Sequence, residues 1–173
     1  MSKQEEAGLI LKLYELRRED TMRKARNWYF REFNPESFAD FNAAIFGEHT
    51  NYLRMVISYW DMAAALVNNG AINMELFGDT NGEHIGVFSK IELLLPEIRA
   101  AYGPQFAASL EKLIDAMPNG RTRTAASRDG RRGCAAQGAG NCSLTAWGDN
   151  RDRGGDRDGT ELARARRCPA SAR

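Results

Sequence analysis

The feature that most limits the fold is the stretch from Asn51 to Arg99, and within it the run Tyr52, Val56, Tyr59, Ala63 and Leu66. These residues step by 4, 3, 4 and 3, which puts them on one face of an α-helix and on both faces of a strand. Leu53, Trp60 and Val67 widen the stripe, leaving only Arg54, Ser58, Asp61 and Asn68 as a polar edge. A helix apolar over most of its circumference is packed on several sides. Asn69-Gly70 stops it, because a glycine after a helix takes positive φ without strain. Ile72 follows, placed to fold back over the last turn.

The flanking segments repeat the helical period. Residues 4–33 carry Leu9, Leu13 and Leu16, then Met22, Ala25, Tyr29 and Phe33 on an offset stripe. Arg17-Arg18-Glu19-Asp20 between them is either a solvated turn of one helix or a break into two. Asn34-Pro35-Glu36 reads as a helix start ahead of Phe38, Phe41 and Ile45. Asn73 can cap a short piece, Met74–Phe77, and Thr80-Asn81-Gly82-Glu83 has capping-box spacing. Phe88, Ile91, Leu95 and Ile98 form the next stripe, with a kink or break expected at Leu95-Pro96. After Gly103-Pro104, Phe106, Leu110, Leu113 and Met117 make the last stripe. No segment alternates with period two. The expected fold is all-α, a single small helical bundle of about four to six helices with short connections.

Charge and composition divide the chain near residue 118. Residues 1–118 hold 12 Lys/Arg against 17 Asp/Glu, a net −5; residues 119–173 hold 12 Arg, no Lys and 6 Asp/Glu, a net +6. In the second part Leu144 and Leu162 are the two aliphatic residues larger than Ala, beside one Trp. Such composition buries too little surface to offset chain entropy. We expect a domain over 1–118 and a disordered Arg/Gly-rich tail over 119–173. Two origins fit that tail: an arm that contacts nucleic-acid phosphates, or an out-of-frame reading of GC-rich DNA, which the abrupt change favours. The six acids dilute the arm's charge and disfavour nucleic acid as a partner. Cys134, Cys142 and Cys168 all lie in the tail and match no zinc or redox spacing. No secretory apolar region and no membrane-length run is present, so the expected location is the cytoplasm.

The order Tyr59-Trp60-Asp61, Val67-Asn68-Asn69-Gly70-Ala71-Ile72, Leu76-Phe77 and Leu95-Pro96-Glu97-Ile98-Arg99 resembles a family of small bacterial all-helical proteins known only as a domain of unknown function. The resemblance covers roughly residues 9–117. It implies a helical fold and carries over no activity, cofactor or catalytic residue.

Among single residues, Asp61 stands out as a carboxylate in a mostly apolar helix. Burial without a partner is costly. We expect a structural ion pair with Arg99 or Arg54 that fixes helix register; the functional reading is a carboxylate at a ligand pocket. Glu48-His49 and Glu83-His84 suggest a metal clasp only weakly, since neighbours on a helix face different ways, and both histidines are expected near the surface. Arg23, Lys24, Arg26 and Arg31 interleave with Trp28, Tyr29 and Phe30, a combination seen in nucleic-acid binders. Interspersed acids favour a solvated face instead. Phosphate-loop, dinucleotide, hydrolase-elbow and zinc-protease patterns are missing, so no cofactor, metal or catalytic residue is assigned. The expected function is a non-enzymatic helical module acting through a protein partner or self-association.

Overall fold

The computed structural model describes residues 2–136, with side chains described as far as Arg131. Every regular element among them is helical: α1 (Lys3–Arg18), α2 (Asp20–Arg31), α3 (Phe38–Phe46), α4 (Thr50–Asn68), α5 (Met74–Thr80), α6 (Glu83–Ile91), a 3-10 turn (Glu92–Leu94), α7 (Leu95–Tyr102), α8 (Ala108–Ala116) and α9 (Gly120–Ala136). The fold is all-α, as the periodicity predicts.

α4 is the central element. It packs on α2, α3, α8, α5 and α6, and Leu53, Val56, Trp60, Ala63 and Ala64 are fully buried along it. Its C-terminus is a Schellman motif. Gly70 has φ +74°, its N–H donates to the Val67 carbonyl at 2.9 Å, and the Ala71 N–H donates to Leu66 at 2.9 Å. Ile72 is buried beyond it.

The ambiguous Arg17–Asp20 segment is a break. Glu19 is extended there, and its carboxylate accepts the Met22 N–H at 2.9 Å, starting α2. Three expected helix starts shift. The third helix begins at Phe38 and not at Pro35, because Ser37 and Asp40 form a reciprocal capping box. Asn34 instead turns its side-chain oxygen to Lys90. The Thr80–Glu83 capping box does not form: the Thr80 hydroxyl donates back to the Leu76 carbonyl at 2.8 Å, and Glu83 is engaged elsewhere. At Pro96 the helix has already broken. α6 ends at Ile91, the 3-10 turn follows, and Pro96 sits in the first turn of α7, where its missing N–H costs nothing. The helix expected after Gly103-Pro104 begins later, at Ala108.

α9 lies in the stretch that composition assigns to the tail. It packs on α6 and α8, and Thr124 is fully buried. Ion pairs and hydrogen bonds hold it there. Arg121 reaches Asp115 at 2.6 Å, Glu92 at 2.9 Å and Glu111 at 3.0 Å, and Arg128 reaches Glu92 at 2.7 Å. Counting apolar residues misses a helix docked this way, so the expected unfolded segment does not hold for 120–131. The rest of the expected tail, 137–173, lies outside the described residues, as do Cys142 and Cys168.

Candidate functional site

Asp61 and Arg99 converge on one turn but not on each other. α8 starts from Ala107, whose φ of +50° is left-handed, and it has no side-chain cap of its own. Asp61, half-buried on α4, supplies the missing acceptor: its carboxylate takes the Leu110 N–H at 2.8 Å. Arg99 holds the same turn from α7, donating from Nε to the Phe106 carbonyl at 3.1 Å and from Nη1 to Glu111 at 2.6 Å. Asp61 is in no ion pair among the described residues, so the carboxylate acts as a cap from another helix. Arg54 is exposed, and it shares with Asp61 a cavity of about 250 Å³ that Phe106 and Ser58 also line. Arg99 does not line it.

A larger groove, about 700 Å³, lies between α2 and the turn Thr80–Glu83. Arg17, Arg23, Lys24, Arg26 and Arg31 line it, against Asp20 and Glu83 as the acids. Glu83 is the anchor. Arg26 grips it bidentately through Nε and Nη2, with Nε to Oε1 at 2.6 Å, and Arg17 stands 3.9 Å away. The pair is three-quarters buried or more, where a bidentate guanidinium–carboxylate contact is strong. Arg23 pairs loosely with Asp20 at 3.5 Å on the exposed rim. Lys24 and Arg31 are exposed and form no ion pair among the described residues. Half-buried Phe30 lines the groove between them.

Two buried titratable residues escape a local reading of the sequence. Lys90, on α6, is 6% exposed and terminates α2. Its Nζ donates to the carbonyls of Tyr29 (2.8 Å), Phe30 (3.1 Å) and Phe33 (2.6 Å) and to Asn34 Oδ1 (2.8 Å). A cation at a helix C-terminus meets the negative end of the dipole. Burial pushes the ammonium down to about 7, and the Arg131 guanidinium pushes the same way. His84 is fully buried, contrary to the surface position expected of it, between Trp60, Phe77 and Met117. Its Nε2 lies 3.2 Å from Met117 Sδ, and Nδ1 has no hydrogen-bond partner. Burial and the nearby Arg123 charge lower its pKa to about 3. His49 instead stacks on Tyr52, with ring centroids 5.4 Å apart. Among the described residues no group of three or more His, Cys, Asp or Glu side chains could hold a metal ion, and no helix is long and apolar enough to cross a membrane.

The outer surface of α1 is the third feature. Of its 16 residues only Leu13 is buried. Leu11 is 67% exposed, Tyr14 47% and Leu16 44%.

Compared with known proteins, residues 4–117 match the family model described as a domain of unknown function, DUF4760. No curated protein and no solved structure matches the chain.

Proposed function

The chain belongs to this domain-of-unknown-function family, and since membership brings no activity with it, we propose from the geometry that the protein is a non-enzymatic helical module that self-associates through α1. The observation that carries this reading is the exposed apolar surface of α1. Gln4, Ala7, Leu11, Tyr14 and Arg18 step by 3, 4, 3 and 4, a coiled-coil-like seam turned away from the core. A second copy is the occupant that fits. Two α1 helices laid antiparallel about Leu11 put Ala7 beside the partner's large Tyr14. The same arrangement puts the acidic first turn, Glu5 and Glu6, near the exposed Arg18 of the partner's last turn. Such a self-complementary surface is what a two-fold dimer requires. A helix of 16 residues is about 24 Å long, less than an obligate interface occupies, so association is weak and concentration-dependent.

Light scattering of the full chain from about 10 µM to 1 mM tests it. A rising mean mass that Leu11→Glu and Tyr14→Glu abolish together, with helicity unchanged, supports the reading. A monomer throughout that range, with no co-purifying protein, rejects it.

A second reading, a small-molecule site around Asp61, is favoured by the cavity that Arg54 and Asp61 line together. A ligand that co-purifies with the chain and is lost in Arg54→Ala would support it. Nucleic-acid binding through the Arg-rich tail is the third reading. Arg121 and Arg128 of α9 are engaged by Glu92, Glu111 and Asp115, which weighs against their use on phosphates.

A further inference from the structure

The groove between α2 and the Thr80–Glu83 turn has more positive charge than its own acids neutralise. Five cations face two carboxylates. Glu83 is consumed by Arg26 and Arg17, and Asp20 is shared loosely with Arg23. Lys24, which feels the Glu19 carboxylate without forming an ion pair with it, and Arg31 are left over. They are seven residues apart on α2, hence on one face and about 10 Å apart along the axis. Asn27 lies midway on that face and Thr80 on the opposite wall, so uncharged hydrogen-bonding groups sit between the charges. Phe30 adds an apolar surface beside Arg31.

The groove is open to solvent and has room for more than a single ion. About 700 Å³ falls in the range that holds drug-sized ligands, roughly 300–1,000 Å³. A single inorganic ion would leave most of it empty. The Arg26–Glu83 pair makes the back wall rigid, because each partner is oriented by two hydrogen bonds. Arg23, Lys24 and Arg31 stay solvated at the rim until a ligand arrives.

We propose that this groove binds a small organic polyanion bearing phosphoryl groups and an apolar or aromatic portion, about the size of a nucleoside diphosphate. The phosphoryl oxygens sit between Lys24, Asn27 and Arg31, where guanidinium geometry suits a phosphate, and the apolar portion lies against Phe30. The proposed ligand contacts, Lys24, Asn27, Phe30 and Arg31, all lie on α2 and outside the α1 seam.

The test is calorimetric titration of the full chain with ADP, pyrophosphate and adenosine as probes. Saturable ADP binding, weakened at least tenfold by Lys24→Glu with Arg31→Glu and weakened by added salt, supports the site. Both side chains are exposed, so the variant is expected to fold, which circular dichroism checks. Arg54→Glu, outside the groove, should bind as the wild type does. Pyrophosphate binding more weakly than ADP, with adenosine weaker still, supports the two-part ligand. Three outcomes overturn the proposal: no saturable binding of ADP or pyrophosphate at millimolar concentration; ADP affinity unchanged in the double variant; or binding of long oligonucleotides alone, which would make the groove a strip of backbone-contact surface.

Discussion

The carboxylate of Asp61 accepts the backbone N–H of Leu110 at 2.8 Å, and so a residue on the central helix starts another helix 49 positions away. A cap of this kind is lost when the oxygen is lost, not when the charge is lost. Asp61→Ala should cost about 0.5–2 kcal/mol, the usual range for removing an N-cap. Asp61→Asn, which keeps an acceptor oxygen, should recover most of it. Breaking a buried ion pair would cost about 3–5 kcal/mol and Asn would not rescue it. Denaturant midpoints of the two variants separate the cases.

Protonation of His84 should destabilise the protein before the carboxylates titrate. Its folded pKa is lowered to about 3 from an ordinary 6.5 by burial, with Nδ1 unpartnered. The unfolded chain therefore binds a proton that the folded chain refuses between those values. The contribution of this ring is fully present above pH 6.5 and is lost as pH falls, at up to about 1.4 kcal/mol per pH unit. Unfolding curves between pH 6.5 and 5 should show that slope in the wild type and a flatter one in His84→Leu. Equal slopes in the two proteins would mean that this ring is not protected.

Lys90 is the residue whose loss should hurt most. Lys90→Met keeps the length of the side chain but orphans three carbonyls and the Asn34 oxygen at the end of α2. Unsatisfied buried acceptors cost about 1–3 kcal/mol each, and solvent entry will relieve some of them. A loss of about 3 kcal/mol or more is expected, with amide exchange accelerated first over residues 29–34. A loss near that of a surface substitution would mean the α2 terminus finds other partners.

Gly120 should be intolerant of any side chain. A Cβ there would lie 2.0 Å from the Ile114 carbonyl oxygen, so the backbone joining α8 to α9 would have to move. Gly120→Ala should release α9. Limited trypsin digestion reads this directly: the wild type should resist cleavage at Arg121 and Arg128, and the variant should be cut there. Equal protection in the two would show that the turn adjusts.

What the sequence discloses and what it hides follow from the range of the interactions. The stripe of α4, its stop at Gly70 and the Asn73 cap on Leu76 depend on residues within four or five positions, and all are legible. Glu83 has good local spacing to serve the Thr80 backbone N–H, yet it goes to Arg26, 57 residues away, because a buried guanidinium offers a carboxylate more than an exposed amide does. Lys90 reads as an ordinary polar position at the end of a stripe; its acceptors lie 56 to 61 residues upstream. Asp61 and Arg99 are recognisable as unusual, and they do meet at one turn, but the backbone atoms they hold leave no mark in the sequence. For the groove, the interleaved cations of α2 are visible, whereas the wall that turns them into a cavity is supplied by Thr80–Glu83.

The matched family segment stops at residue 117, three residues short of α9. Yet α6 is buried from His84 to Ile91, and α9 is one of the elements against which it packs. The matched segment thus behaves as a socket and α9 as its plug. A chain trimmed at the family boundary would keep its whole sequence pattern and still present an open flank, with Ser89 and Glu92 stripped of Arg131 and Arg128. Two such trimmed chains would carry the same flank, so the boundary drawn by similarity makes a poor place to cut this molecule.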